Sequence, residues 1–269
     1  MTRPIRETDF LKTLESFRAL AIHPEFTDDL AAAIRKEGGA DRAVEALLQA
    51  FGLADINLFA LSVEEQLKRL RLANEEESWG IEESVIMALA ESAPPWPEGR
   101  LAFRSLRIRW GEGDEGVALT FERHAARIKR TFSPKFWRWE YLRSDNEYLR
   151  LLSGNDIHRP TVEWVTLDLD THRKRSSVEA VRGPKSFADE GLVFSWMFPE
   201  YVRAIDYGEN PAFFLAGYEL DVPEGDGGSW RRVPVVSRDV HTGEVHLIAS
   251  GRGGDGSGCS VPSVRECRS

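Results

Sequence analysis

Residues 93–99, APPWPEG, separate two kinds of pattern in the chain. Prolines at 94, 95 and 97 remove backbone donors and bias the residues before them out of the helical region, so no helix runs through this stretch. On its N-terminal side apolar residues recur at helical spacing. Phe10, Leu14, Phe17 and Leu20 form one such stripe, Val44, Leu47, Leu48 and Phe51 a second, and Leu67 and Leu70 a third. A fourth runs through Ile81, Val85, Ile86 and Leu89. Thr27 with Asp28 and Asp29 reads as a helix start, because side-chain oxygens accept free N–H groups and acids suit the positive helix end. Gly38 and Gly39 stop that helix, and Ser62 with Glu65 is the capping box of a later one.

Beyond the prolines, strand signals mix with helical ones. Residues 101–110 (LAFRSLRIRW) predict a strand, ended by the turn residues GEGDEG. Val117, Phe121, Ala125, Ile128 and Phe132 predict an amphipathic helix whose opposite face is basic. Residues 136–143 and 161–170 read as strands, the second from its β-branched and aromatic content. A short helix is expected over 198–207, with Pro199 near its first turn. Strands follow at 212–222, 230–236 and 244–250, joined by turn chemistry that predicts antiparallel neighbours. The fold class predicted is therefore α+β: an acidic helical domain over residues 1–98, an α+β domain over 99–249 with a mainly antiparallel sheet, and a flexible Gly/Ser-rich tail over 250–269.

Composition narrows the class further. With 269 residues, 42% of them hydrophobic, and eight Trp, fourteen Phe and five Tyr, the chain buries too much apolar surface to be intrinsically disordered or collagen-like. No apolar run reaches the roughly 18 residues a membrane helix needs, and acidic side chains appear by position 7, so a soluble cytoplasmic protein with no membrane partner is expected. Two cysteines, Cys259 and Cys267, imply no disulfide framework and lack zinc-site spacing; both are read as bystander thiols in the tail. The net charge of −9 is uneven: residues 100–143 carry 11 basic and 5 acidic side chains, between two acidic regions. Such an island either pairs with the acidic helices inside the molecule, the commoner arrangement, or faces an anionic partner.

Two constellations carry chemistry. Asp168 and Asp170 end the strand TVEWVTLDLD on one face, where two carboxylates could chelate magnesium, polarise a phosphate and lower the pKa of a water. They are the candidate catalytic and metal residues of a magnesium-dependent phosphoester hydrolase or nuclease. Over about ten residues this apolar run with Asp-x-Asp resembles the signature of haloacid dehalogenase-like phosphotransferases, which implies a nucleophilic role for Asp168 and an acid–base role for Asp170. His172 stands where that signature has Thr or Val, and Lys185 precedes Ser195 instead of following it. A wider nuclease cluster would add His158, Glu163 and Lys174, although strand parity turns Glu163 away from the two aspartates.

The other constellation is the basic and aromatic island. Arg123, Arg127 and Arg130 share a helix face, and Arg138 lies between Trp137 and Trp139, so these four arginines are candidate ligand-binding residues for single-stranded nucleic acid. The competing expectation makes the indoles core residues. His23, His124, His158, His172, His241 and His246 form no zinc-peptidase spacing, though His241 and His246 flank one turn. Gly251-Arg-Gly-Gly-Asp-Gly256 matches a dinucleotide fingerprint in letters but leaves no room for a following strand–helix unit. No motif calls for an organic cofactor. The reading that follows is a protein that acts by binding a protein partner, with the hydrolase and nucleic-acid readings as alternatives.

Overall fold

The computed structural model describes residue 57 and residues 59–142, 149–151, 161–170, 186–221, 231–251 and 259–266. The helices expected around residues 10–51, together with His23, Arg143, His158, His172, Lys174, Lys185 and the glycine-rich run 252–256, lie outside them. The described residues within 57–97 and 101–266 belong to one compact unit. The two acidic helices just before the prolines therefore pack with the sheet that follows.

Helix α1 (Val63–Glu77) starts as its capping box predicts, with the Ser62 hydroxyl accepting from the Glu65 N–H at 3.1 Å, and buries Leu67 and Leu70. Helix α2 (Glu83–Glu91) buries Ile86 and Leu89. Strand β1 (Ala102–Arg109) leads into the long helix α3 (Gly113–Phe132), whose stripe from Val117 to Phe132 is buried as its spacing predicts. Then come β2 (Phe136–Arg138), β3 (Leu149–Leu151) and β4 (Thr161–Asp168). Helices α4 (Asp189–Met197) and α5 (Pro199–Ala204) follow, with Pro199 in the first turn of α5. The expected strand over 212–222 is broken into β5 (Ala212–Phe214) and β6 (Tyr218–Asp221), after which β7 (Arg231–Arg238) and β8 (Val245–Gly251) form the predicted hairpin. Strands β9 (Cys259–Ser260) and β10 (Ser263–Glu266) complete the order.

The class is thus mixed helix and sheet, but among the described residues the strands make two sheets. One has the order β1-β4-β10 and is antiparallel throughout; the other has seven strands and is mixed, with β2 parallel to β8 and β5 parallel to β9. Residues 259–266 correct the expected tail. They contribute β9 to one sheet and β10 to the other, because Val261 and Val264 are buried and the Phe187 N–H donates to the Pro262 carbonyl at 3.3 Å. Gly/Ser composition over the whole segment masked these two anchors.

Helix α4 lies at the centre and every one of its residues is buried. Phe194 packs edge-on against Phe103 of β1 and Phe213 of β5, with centroids 4.8 and 5.5 Å apart, so the helix joins both sheets. Facing the other side of the three-stranded sheet are α2 and the proline segment. The Trp164 indole donates to the Leu89 carbonyl at 2.8 Å, and Arg104 stacks between Trp96 and Trp164 at 5.4 and 5.3 Å while donating to the Pro94 carbonyl.

Gly217 is the break between β5 and β6. Its N–H donates to the Phe187 carbonyl at 2.6 Å, and a Cβ there would sit 2.9 Å from Ala188 Cβ and 3.0 Å from the carbonyl oxygens of Ser186 and Phe187. Two of those three obstacles are backbone. Gly217→Ala is expected to lower the unfolding free energy by about 1–3 kcal/mol, as overpacking does. A urea titration checks this: the midpoint should fall with an unchanged slope, and an unmoved midpoint would contradict the close approach.

Candidate functional site

Helix α3 and the edge strand β2 enclose a surface groove of about 420 Å³. The helix supplies Glu122, Ala125, Ala126 and Lys129, whose spacing of three and four places them on one face. From β2 and the residues after it come Phe136, Arg138, Trp139 and Glu140. The two alanines make the hollow, since larger side chains there would fill it. Arg138 forms the wall between helix and strand: it is bonded to both carboxylate oxygens of Glu122, one at 2.9 Å, and its guanidinium lies 5.3 Å from the centroid of the Phe121 ring. Trp139 is held edge-on to Tyr141 at 4.9 Å and beneath the Arg232 guanidinium at 5.0 Å. Lys129 and Glu140 set one charge of each sign in the lining.

Among the described residues, one side of the β2 backbone is unpaired. The Lys135 carbonyl accepts from the Val245 N–H at 2.9 Å and the Trp139 N–H donates to the Leu247 carbonyl at 3.0 Å, so the odd residues spend their peptide groups on β8. Alternation along a strand then turns the N–H and C=O of Phe136 and Arg138 outward. Among the described residues no strand pairs with that edge, and β2 ends the order of its sheet. Trp137, on the other face, is 45% exposed and packs edge-on to His246 at 5.7 Å.

The basic island is largely neutralised from within. Arg127 pairs with Glu76 and lies 3.8 Å from Glu77, and Arg130 reaches Glu77 at 2.8 Å, so the acidic end of α1 covers the arginine face of α3. Arg123 stacks on Trp110 at 4.7 Å and donates to the Trp79 carbonyl. The four candidate arginines therefore each have an internal partner. The indoles divide, with Trp139 half-buried and Trp137 in solvent.

Asp168 and Asp170 sit at the end of β4, where the Asp168 carboxylate accepts the Asp170 N–H at 2.9 Å in a turn. Asp170 is exposed, and Glu163 lies on the opposite strand face as parity requires, paired with Arg107 at 2.8 Å. Among the described residues no group of three or more His, Cys, Asp or Glu side chains could hold a metal ion. His246 pairs with Glu244 at 3.1 Å, while His241 lies in the turn between β7 and β8.

A cluster with no local sequence signal lies where α4 begins. Asp189 and Glu190, 0% and 1% exposed, face Arg107 and Arg109 of β1. Arg107 donates to Glu190 at 2.5 Å, Arg109 donates to Asp189, and the Tyr218 hydroxyl donates to the same aspartate. Burial pushes the Glu190 carboxyl up, but the two guanidinium groups and the Ala188 N–H outweigh it and hold it below its ordinary value. Burial, with Glu190 beside it, raises Asp189, and burial together with the Asp189 charge raises Tyr218 well above the usual phenol value. These groups tie the central helix to the sheet.

Compared with family models, curated proteins and solved structures, the chain matches none. No helix among the described residues is long and apolar enough to cross a membrane.

Proposed function

We propose that the protein acts by binding, and that it takes an extended peptide segment of a protein partner as an added strand on the β2 edge. The observation that carries this reading is the outward backbone of Phe136 and Arg138, two residues that also line the α3–β2 groove. Main-chain bonds to an edge strand supply affinity, and a pocket beside it selects one side chain of the peptide. Ala125 and Ala126 leave room for an apolar side chain, which Phe136 and Trp139 would contact. Lys129 and Glu140 would meet flanking charges of either sign. Cytoplasmic location belongs to the same reading: it rests on the scarcity of cysteine, and the Cys259 thiol, pushed up to about 11 by burial, would be protonated and slow to oxidise at neutral pH.

Ala126 is exposed and on a helix, so Ala126→Trp fills the groove without entering the core. Peptides selected from a displayed random library against the unmodified protein should bind with micromolar Kd and slow the amide exchange of Phe136 and Arg138. Their affinity should fall at least tenfold with Ala126→Trp. Recovery of no binding peptide, or of peptides indifferent to Ala126→Trp, would overturn the proposal.

A further inference from the structure

A second concavity, of about 390 Å³, opens where α3 ends, lined in part by Ser133, Lys135, Arg203, Arg238 and Gly243. Its three cationic side chains come from three different places: the start of β2, helix α5 and the end of β7. Each is fixed by a backbone carbonyl. Lys135 Nζ donates to Thr242 at 2.9 Å, Arg203 Nη2 to Thr131 at 3.3 Å, and Arg238 Nη1 to Ile205 at 3.3 Å. Arg203 also lies over the Phe132 ring at 5.2 Å.

Among the described residues none of the three lies within ion-pair distance of a carboxylate; the nearest influence is Glu200, one turn before Arg203 on α5, and that carboxylate is bonded to Arg69 at 3.0 Å. The acids of the neighbouring turns are spent locally: Asp239 accepts from the N–H groups of His241 and Thr242, Asp206 from those of Gly208 and Asn210, and Glu244 faces His246. Arg107, Arg109, Arg127, Arg130 and Arg138, by comparison, are each paired with an acid.

Two of the three cations also approach one point. A Cβ on Gly243 would lie 3.5 Å from Lys135 Nζ and 3.6 Å from Arg238 Nη2, so two positive groups come within 3.6 Å of one point. Gly243 has φ +70° and no side chain, which leaves that point open. Like charges brought this close without a counter-charge repel, and an oxyanion between them removes the repulsion. Each guanidinium spends one donor on a carbonyl, and its planar fork offers further donors to a second acceptor.

We propose that this pocket binds the phosphate of a small organic phosphate monoester. Two negative charges on one group match the cluster better than a carboxylate does, and the volume lies in the range of small-molecule sites. Phe132 and Val245 in the lining offer apolar surface to the organic part. This site is separate from the α3–β2 groove and does not depend on the peptide reading.

The probe is phenyl phosphate, titrated calorimetrically into the full chain beside benzoate and phenyl sulfate. Saturable binding of phenyl phosphate is expected, at least tenfold tighter than benzoate, and weakened at least tenfold by Arg203→Gln and by Arg238→Gln. Lys68→Gln, which removes one exposed charge elsewhere, should leave it unchanged. Ser133→Glu introduces a carboxylate at the exposed rim and should abolish binding while raising Tm. Should an arginine variant lose stability, amide shifts in the unmodified protein decide: phenyl phosphate should move Ser133, Arg203 and Gly243 most. Absence of saturable binding, benzoate binding as tightly, unaltered affinity in both arginine variants, or shifts centred elsewhere would each overturn the assignment.

Discussion

Glu190→Ala is expected to lower the unfolding free energy by about 3–5 kcal/mol, because it strands Arg107 and part of the charge of Arg109 in a buried setting. Arg107 would keep Glu163, but that carboxylate is 44% exposed and cannot replace a partner that is itself enclosed. The loss comes mainly from an uncompensated charge, not from a forfeited attraction. Removing both members of the pair should therefore hurt less than removing one. Arg107→Met combined with Glu190→Met is expected to be more stable than Glu190→Ala alone, since Arg109 and Asp189 still neutralise each other. Urea unfolding of the single and double variants at pH 7 measures this. A single-variant loss below about 1 kcal/mol, or a double variant worse than the sum of its parts, would show that the cluster does not hold α4 to the sheet.

His124 makes stability depend on pH in a window that can be assigned. It lies fully buried among Trp79, Trp110 and Trp196, with ring centroids 5.9, 5.1 and 6.3 Å away. The Trp196 indole donates to Nδ1 at 3.2 Å, so Nε2 carries the proton and donates to the Ile108 carbonyl at 2.9 Å. Burial lowers the imidazole from 6.5 to about 4. A histidine that is harder to protonate when folded contributes stability that is complete above about pH 6.5 and disappears as pH falls through about 4. The slope cannot exceed about 1.4 kcal/mol per pH unit, and the total is about 3 kcal/mol. His124→Gln keeps a donor for Ile108 and an acceptor for Trp196 but does not titrate. It should be less stable than the unmodified protein at pH 7.5 and should approach it as pH falls to 4.5. Parallel stability curves for the two proteins would remove His124 as the acid-sensitive group.

Helix α3 was readable from its sequence because half of it meets water: the apolar stripe stands out against Glu115, Glu122 and Lys129. Helix α4 was not, for the opposite reason. Buried on every side, it has no polar face to give a period. The same blindness hid the charged cluster, since its arginines lie about 80 residues from its acids and only the sheet brings them together. Pairing of the basic island with an acidic helix was foreseeable from charge, whereas the choice of Glu76 and Glu77 was not. The groove escaped notice because nothing in FWRWE tells an edge strand from an inner one; that depends on β8 pairing along one side only. The prolines end a helix, as their chemistry requires, and the segment then packs back on the sheet, Trp96 stacking on Arg104 and the Pro94 carbonyl accepting from it.

The three-stranded sheet has a consequence for how the protein is made. Its middle strand, β4, is flanked by β1 and by β10, and these two are separated by about 160 residues of chain. During synthesis β1 emerges early, carrying Arg107 and Arg109 with no acid yet translated to receive them; Asp189 and Glu190 follow some 80 residues later, and the last strand later still. A nascent chain must therefore remain open along one side of β4 until residues 263–266 leave the ribosome. Contacts so distant in sequence form slowly. Throughout that interval the exposed margin of β4 is a surface that a chaperone, or a neighbouring nascent chain, could occupy first.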